Sequence, residues 1–190
     1  MENIKQRLSE VAHSWVHIGM IKLFLFGVQP STIETQANAL SAQVVEHKTE
    51  QEIQQLKKET LEKFSNTVYK PSEMLTDSEL IKLLKAVGFE GKALKTAWAI
   101  AKTESNARPL AYNGNRNTGD SSYGIFQINM LGKLGIDRKE KFELRSTILL
   151  FDPVVNAEIT YHMTQGGNDW SSWSSIRNGA AKEWLAKFPD

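Results

Sequence analysis

Residues 104–129, ESNARPLAYNGNRNTGDSSYGIFQIN, contain the pattern on which the fold assignment depends. Glu104 closes an apolar segment, and Pro109 follows shortly after it. Proline lacks an amide hydrogen and restricts the residue before it, so a helix containing Glu104 is expected to end before residue 109. The apolar residues before Glu104 recur at spacings of three and four, which is typical of an amphipathic helix: Leu94, Ala97, Trp98 and Ala101. Because Glu104 continues this spacing, its side chain is expected on the buried face.

The residues after Pro109 combine turn-forming and strand-forming types. Between Tyr112 and Ser122 the chain is dense in Asn, Gly, Asp, Ser and Thr, which favour tight turns and left-handed backbone. Apolar residues then alternate with Gln127 and Asn129 in a short segment that is typical of a strand or a turn. We therefore expect a small β-hairpin beside the end of the helix, forming a groove lined with amide and hydroxyl groups.

Glu104 is the candidate for acid chemistry in this groove. A carboxyl group in an apolar setting loses hydration when it ionises, so its pKa rises and it retains a proton near neutral pH. Such a group has the property that a general acid needs. The simpler alternative is a surface glutamate at a helix end, paired with Lys102 or Arg108.

Four short motifs, in order along the chain, resemble one protein family. They are Thr-Glu-Ser-Asn (103–106), Asn-Arg-Asn-Thr-Gly-Asp-Ser-Ser-Tyr-Gly-Ile-Phe-Gln-Ile-Asn (115–129), Phe-Asp-Pro-Val-Val-Asn-Ala (151–157) and Trp-Ser-Ser-Trp (170–173). The stretch from about 76 to 179 resembles the lysozyme-like superfamily, in particular the transglycosylase-like domain of phage tail tape-measure and other virion proteins. The resemblance implies a mainly α fold, a lysozyme-like α+β domain with a small β-hairpin. It also implies a peptidoglycan-degrading muramidase in which Glu104 protonates the oxygen of the β-1,4 bond between N-acetylmuramic acid and N-acetylglucosamine.

The second catalytic group departs from the family pattern. Animal lysozymes carry an aspartate immediately before the Tyr-Gly pair, where this chain has Ser122. Asp120, two residues earlier, is the second candidate catalytic residue, and its alternative role is that of a turn residue after Gly119. A carboxylate at Asp120 would activate a water molecule on the opposite sugar face, as inverting hydrolases require. Without it, the N-acetyl group of the substrate would assist and give the 1,6-anhydro product of lytic transglycosylases.

Other polar and aromatic residues of these motifs are predicted to bind substrate. Asp152 and Pro153 form a good helix start, and the transglycosylase-like pattern implies that this helix brings Tyr161 and Asn156 near the cleft. Capping or core packing is the simpler role for Asn156. The tryptophans of the fourth motif either stack on sugar rings or close a small helical core. The predicted substrate-binding residues are Ser122, Tyr123, Gln127, Asn129, Tyr161, Trp170 and Trp173.

Composition restricts the classes of protein. The 190 residues have a formal net charge of +1 and contain no cysteine. A balanced charge gives no general attraction to nucleic acid or to an anionic membrane, and disulfides are excluded. His13 and His17 lie one helical turn apart, but no third ligand accompanies them at a convincing spacing. We therefore expect no metal and no cofactor.

The first 70 residues differ in character from the rest of the chain. They are predicted to form a helical arm, residues 1–70, ahead of a catalytic domain at 71–190. An apolar helix is expected at about 3–28, and a long helix with a thin apolar seam at about 31–69. Such a seam usually pairs with another helix, so the expected partners are virion or tail-tip proteins, or another copy of the chain. Membrane contact is a minor alternative.

The resemblance to virion proteins also implies a location. It suggests a lysin made in the host cytoplasm, carried in a phage tail or ejection apparatus, and acting on the bacterial cell wall. The arm would anchor the protein while the domain digests peptidoglycan. The alternative is a structural tail or baseplate protein whose lysozyme-like domain has lost activity. The intact motif around Glu104 favours the enzyme, whereas Ser122 leaves room for the alternative.

Overall fold

A computed structural model describes residues 49–189 of the chain. The chain divides into two compact units, Met1–Glu52 and Ile53–Asp190, and the second contains every predicted site residue. The predicted helix at 3–28, and the first part of the predicted helix at 31–69, lie outside the described residues.

The second unit is mainly helical. Its first helix, α1, covers residues 53–66 of this unit. Further helices follow in chain order: α2 Asp77–Val87, α3 Gly91–Ser105, α4 Gly132–Lys141, α5 Pro153–Met163, α6 Ser174–Arg177 and α7 Lys182–Leu185. Two short 3-10 helices cover Arg116–Thr118 and Thr147–Phe151.

One small sheet interrupts the helices. Its strands are β1 Tyr112–Asn113, β2 Ser122–Tyr123 and β3 Ile128–Asn129, in that spatial order, and both pairings are antiparallel. In the middle strand, Ser122 is paired with Asn113 on one side and with Asn129 on the other. The predicted fold class, a mainly α lysozyme-like domain with a small hairpin, is confirmed for the described part. The hairpin is extended by one further strand.

Helix α3 supplies the centre of the core. The predicted buried face is confirmed, because Leu94, Ala97, Trp98 and Ala101 are all buried. The indole of Trp98 meets two aromatic rings of the last segment edge-on, at centroid distances of 5.8 Å to Trp184 and 5.5 Å to Phe188. Edge-to-face packing of this kind adds to the stabilisation from removing the rings from water. The middle of the helix that carries Glu104 is therefore packed against these two rings.

Capping residues explain where two of the neighbouring helices begin. Thr76 and Glu79 form a capping box at the start of α2, in which the Thr76 amide donates to Oε2 of Glu79 at 2.9 Å. Asp152 caps α5 by accepting the amide hydrogen of Val154 at 2.8 Å, and Pro153 is the first residue of that helix, as the sequence predicts. Because α2 packs against both α3 and α5, these caps help to position the helix of Glu104.

The end of α1 belongs to the same core. Phe64 is buried, and Ser65 donates its hydroxyl hydrogen to Oδ2 of Asp152. The compact unit therefore begins at Ile53, ahead of the predicted domain boundary at residues 70 and 71. That residues 1–70 serve as an anchoring arm stays a prediction. Within the described residues, no helix combines the length and apolarity needed to cross a bilayer.

Candidate active site

Glu104 lies in the last turn of α3, next to the residue that ends the helix. The helix stops because Asn106 and Ala107 both adopt left-handed backbone, with φ angles of 55° and 58°. Ser105, which follows Glu104, donates its hydroxyl hydrogen to the carbonyl of Ile125 at 2.7 Å. This bond joins the end of α3 to the turn between β2 and β3, so Glu104 is held beside the sheet.

The carboxyl group of Glu104 is half-buried, and it contacts a residue that is distant in sequence. Ser175, in α6, donates its hydroxyl hydrogen to Oε1 of Glu104 at 2.6 Å. Burial, the largest effect, raises the pKa of Glu104, the hydrogen bond from Ser175 opposes the rise, and the charge of Asp120 adds to it. Glu104 therefore retains its proton to a higher pH than an exposed glutamate does, as a general acid requires.

The two basic residues that could pair with Glu104 at the surface, Lys102 and Arg108, have other partners. Lys102 pairs with Asp77, with Nζ and Oδ1 3.1 Å apart. Arg108 donates its Nε hydrogen to the backbone carbonyl of Ser105 at 3.0 Å. The geometry thus favours the half-buried acid over the surface ion pair.

Asp120 lies in the loop before β2, and its negative charge acts on Glu104. Thr118 donates its hydroxyl hydrogen to Oδ2 of Asp120 at 2.7 Å, and the hydroxyl of Ser122 lies 3.5 Å from Oδ1. The amide of Asp120 also donates to the carbonyl of Asn115 at 3.0 Å, as in a turn. Asp120 is therefore both a turn residue and a carboxylate close enough to Glu104 to affect its pKa.

Ser122 and Gln127, both predicted to bind substrate, have structural partners. Ser122 lies in the middle strand and is only 4% exposed. Gln127 adopts left-handed backbone, with φ 49°, and its side-chain amide donates to the carbonyls of Ala111 at 3.2 Å and Gly124 at 2.9 Å. Left-handed backbone at a non-glycine residue is typical of a constrained turn. The side-chain amide of Gln127 stabilises this turn by bonding the two carbonyls.

Asn129 has a similar supporting role at the loop that carries Asp120. Its Nδ2 donates to the carbonyl of Gly119 at 2.8 Å, and its Oδ1 accepts the amide hydrogen of Leu131 at 2.8 Å. Oδ1 also accepts the amide hydrogen of Ser121 at 3.4 Å. The polar atoms of Asn129 are thus used by backbone groups on both sides of Asp120, and they fix the path of that loop.

Tyr123, a predicted substrate-binding aromatic residue, is partly exposed. Its ring centroid lies 4.9 Å from that of Tyr112 and 5.4 Å from that of Phe151. The hydroxyl of Ser121 donates to the Tyr123 hydroxyl at 3.4 Å and lowers the pKa of Tyr123, and the charge of Lys139 acts in the same direction. Tyr112, which is 57% exposed, was not among the predicted site residues, yet it forms an aromatic surface with Tyr123.

Of the other three predicted aromatic ligands of the substrate, the two tryptophans are buried and Tyr161 is partly buried against the core. Tyr161 meets Phe89 edge-on at a centroid distance of 4.9 Å, and Trp170 stacks on Phe89 at 6.0 Å. Trp170 is 9% exposed and Trp173 is 5% exposed, so neither indole has a free face for a sugar ring. The core-packing alternative is thus favoured for both tryptophans, because their large apolar area is removed from water. Tyr161 packs against the buried Phe89 but is itself only partly buried, and its place at the cleft stays a prediction.

Asn156 links α5 to the turn between β2 and β3. It is fully buried, its Oδ1 accepts the amide hydrogen of Phe126, and its Nδ2 donates to the carbonyls of Tyr123 and Leu150, each at 2.9 Å. Gly124 is required beside it, since its φ is 73° and a Cβ there would lie 2.3 Å from Nδ2 of Asn156. The packing role that the sequence favours for Asn156 is the role that it has.

Three residues of the site, Tyr112, Ser105 and Ser175, were not predicted from the sequence. Ser105 is part of the Glu-Ser-Asn motif, and a serine at a helix end often bonds a nearby backbone group, so its position in the motif indicates such a contact. Ser175 is separated from Glu104 by 71 positions, and no periodic pattern connects them. Within residues 49–189, no group of three or more histidine and acidic side chains is arranged to hold a metal ion. His13 and His17 lie outside that range.

Comparisons with known proteins agree with this geometry. The family model described as a lysozyme-like domain matches residues 81–175, which is half of the chain. The milk isozyme of lysozyme C from Canis lupus familiaris is 38% identical over 60 residues, which cover 30% of this chain and 46% of that lysozyme. The match thus spans less than half of the lysozyme's length, and no solved structure matches the chain significantly. On the family match, the chain belongs to the lysozyme-like domain family.

Proposed function

We propose that this protein is a muramidase that cleaves the β-1,4 bond between N-acetylmuramic acid and N-acetylglucosamine in peptidoglycan. The observation that carries the proposal is Glu104: a half-buried carboxyl group with a raised pKa, at the end of α3 in a lysozyme-like domain. Family membership supports a glycosidic substrate, and the environment of Glu104 supports the role of general acid.

In the proposed reaction, Glu104 transfers its proton to the glycosidic oxygen. The bond between the anomeric carbon and that oxygen breaks, the leaving sugar departs as an alcohol, and positive charge develops at the anomeric carbon. Burial favours the neutral form of Glu104 before this step, and the hydrogen bond from Ser175 stabilises the carboxylate that remains afterwards. Solvent then returns a proton to Glu104.

Asp120 is the proposed second carboxylate. It would take a proton from a water molecule whose oxygen forms the new bond to the anomeric carbon, as in inverting glycosidases. Its support is the effect of its charge on Glu104 and the two hydroxyl groups that lie against its oxygens. Thr118 and Ser122 hold the carboxylate in one orientation, which a base acting on a bound water molecule needs.

A lytic transglycosylase is the second candidate, and one observation favours it. Ser122, in the place where animal lysozymes carry an aspartate, is buried within the sheet and has no acidic group. If Asp120 serves only to shape its loop, the N-acetyl group of the substrate replaces the second carboxylate and a 1,6-anhydro sugar is formed. The two candidates share Glu104 as the acid and differ in the product.

The test of the proposed function begins with Glu104→Gln. Glutamine keeps the shape and the hydrogen bond from Ser175 but has no transferable proton, so clearing of purified peptidoglycan should fall by roughly 10²–10⁴-fold. Glu140→Gln, an exposed glutamate on α4, is the matched control and should retain full activity. Clearing by the Glu104→Gln protein at the rate of the unmodified chain would exclude Glu104 as the acid.

Mass spectrometry of the digest separates the two reactions. The hydrolase should release reducing-end products, and Asp120→Asn should lose most of the activity. The anhydro product is lighter by one water molecule, and its appearance together with an active Asp120→Asn protein would instead make the protein a lytic transglycosylase. A pH series adds an independent check, because the rate should fall as pH rises through the raised pKa of Glu104.

We also propose, from the sequence resemblance to tape-measure domains, that the protein acts from a phage virion. Residues 1–70 would then bind virion or tail-tip proteins, or a second copy of the chain. Mass measurements in solution on the full chain and on the fragment from Ile53 onward, which forms one compact unit, test the idea. Self-association of the full chain but not of the fragment supports an interaction through residues 1–52, and two monomers count against it.

A further inference from the structure

We propose that Ser175 is a positioning residue for Glu104, and that its hydroxyl group fixes which carboxyl oxygen carries the transferable proton. This inference builds on the proposed role of Glu104 as a general acid. The Ser175 hydroxyl lies 2.6 Å from Oε1, which is the length of a strong hydrogen bond to a carboxylate. Since Oε1 accepts this bond, the proton of the neutral acid is held on Oε2, which would be the oxygen that donates to the glycosidic oxygen.

The burial of Ser175 shows that this contact is a fixed part of the core. Ser175 is 4% exposed, so water does not compete well for its hydroxyl group. Its neighbour Ser174, in the same helix α6, is exposed and has no such contact with Glu104. The two adjacent serines therefore provide a test residue and a control residue within one turn of helix.

Glu104 and Ser175 are anchored to the same two-residue segment. The hydroxyl of Ser105 bonds the carbonyl of Ile125 at 2.7 Å, directly after Glu104. The indole Nε1 of Trp173, two residues before Ser175, donates to the carbonyl of Phe126 at 2.9 Å. Because both anchors end on adjacent carbonyls, the donor and the acceptor of the Ser175–Glu104 bond cannot drift apart without breaking one of them.

The same bond acts on the proton transfer itself. A hydroxyl group that donates to a carboxylate stabilises the ionised form more than the neutral form. Burial alone would make Glu104 a weaker acid. The hydrogen bond from Ser175 opposes that effect by stabilising the carboxylate that remains after proton transfer. Ser175 thus moderates the acid while it orients it.

The charged groups near Glu104 do not account for the effect on its pKa that we assign to the Ser175 hydroxyl group. Asp120 is the charged group whose effect on Glu104 is resolved, and it raises the pKa of Glu104. Lys102 on α3 is paired with Asp77, and Arg177 on α6 donates its guanidinium hydrogen to the carbonyl of Ser171. A fall in the pKa of Glu104 that depends on residue 175 would therefore come from its hydroxyl group.

The experiment measures the Glu104 carboxyl group directly in the full chain. Proteins labelled with ¹³C at glutamate side-chain carboxyl carbons are titrated by NMR, and Glu104→Gln identifies the Glu104 signal. Ser175→Ala should move the titration of Glu104 to higher pH, while Ser174→Ala should leave it unchanged. Ser175→Thr, which keeps a hydroxyl group, should restore most of the original titration. An unchanged titration in Ser175→Ala would overturn the proposal.

Kinetics provide the second readout. In Ser175→Ala, kcat should fall roughly tenfold with little change in KM, the effect of losing one hydrogen bond to a charged group, and the alkaline limb of the pH–rate profile should move to higher pH. An equal loss in Ser174→Ala, or a loss confined to KM, would contradict a positioning role. Ser175→Cys fills the same volume with a weak donor, and it replaces the alanine variant if that protein is unstable. A chain without glycosidase activity leaves the NMR titration as the test, so failure of the proposed function and failure of this inference are distinguishable.

Discussion

The helical core around α3 and the polar segment from β1 to β3 are stabilised in different ways. The core consists of apolar side chains that exclude water, with Trp98 1% exposed at its centre. The segment around the sheet has strands of two residues, and side-chain amides and hydroxyls satisfy its backbone groups. Glu104 comes from the first region and Asp120 from the second. Apolar burial therefore raises the pKa of Glu104, whereas hydrogen bonds orient the carboxylate of Asp120.

The largest effect on stability is expected in the core. Trp98→Ala should lower the free energy of unfolding by about 3–5 kcal/mol, since it leaves a cavity beneath Trp184 and Phe188. Urea denaturation followed by circular dichroism measures the change. Ile136→Ala, at a position that is 65% exposed, is the control and should change stability by less than about 0.5 kcal/mol. Similar losses in both variants would mean that α3 is not the centre of stability.

In the polar segment we expect a smaller loss of stability than for Trp98→Ala, but a clear loss of activity. Asn129→Ala removes the partners of the Gly119 carbonyl and the Leu131 amide, and should lower stability by about 1–3 kcal/mol. The loop that carries Asp120 then loses its fixed path, so activity should fall even where the protein is fully folded. Asn117→Ala, in the same loop and exposed, serves as the control. Full activity in folded Asn129→Ala protein would show that the path of this loop does not matter for the reaction.

The smallest effect on stability is an increase, and it occurs where the two regions meet. Because burial raises the pKa of Glu104 in the folded state, the stability that its neutral form contributes is present at low pH and is lost as pH rises through that pKa. Glutamine does not ionise, so Glu104→Gln should melt at a higher temperature than the unmodified chain at neutral pH. The difference should vanish below the ordinary pKa of glutamate. A Glu104→Gln protein that is less stable at neutral pH would contradict a desolvated acid.

The sequence predicts the two regions to different extents. The spacing of apolar residues locates α3 and places Glu104 on its buried side, because helical period and burial are local properties. Turn-forming residues likewise indicate the segment that carries Asp120. For Trp170 and Trp173 the sequence leaves two interpretations, since the direction of an indole in a serine-rich loop is set by what packs against it. Asn156 and Ser175 act through partners 30 and 71 positions away, and no local pattern reports such contacts.

The separation in sequence between Glu104 and Ser175 has a consequence for folding during synthesis on the ribosome. The acid is synthesised first, and its hydrogen-bond donor follows 71 residues later, together with α7, which also packs on α3. Until α6 and α7 have been synthesised, the helix that carries Glu104 lacks both the Ser175 hydroxyl group and the packing of α7. We expect the environment proposed for Glu104 as an acid to form only after α6 has docked, so that synthesis of residue 175 must precede completion of the site.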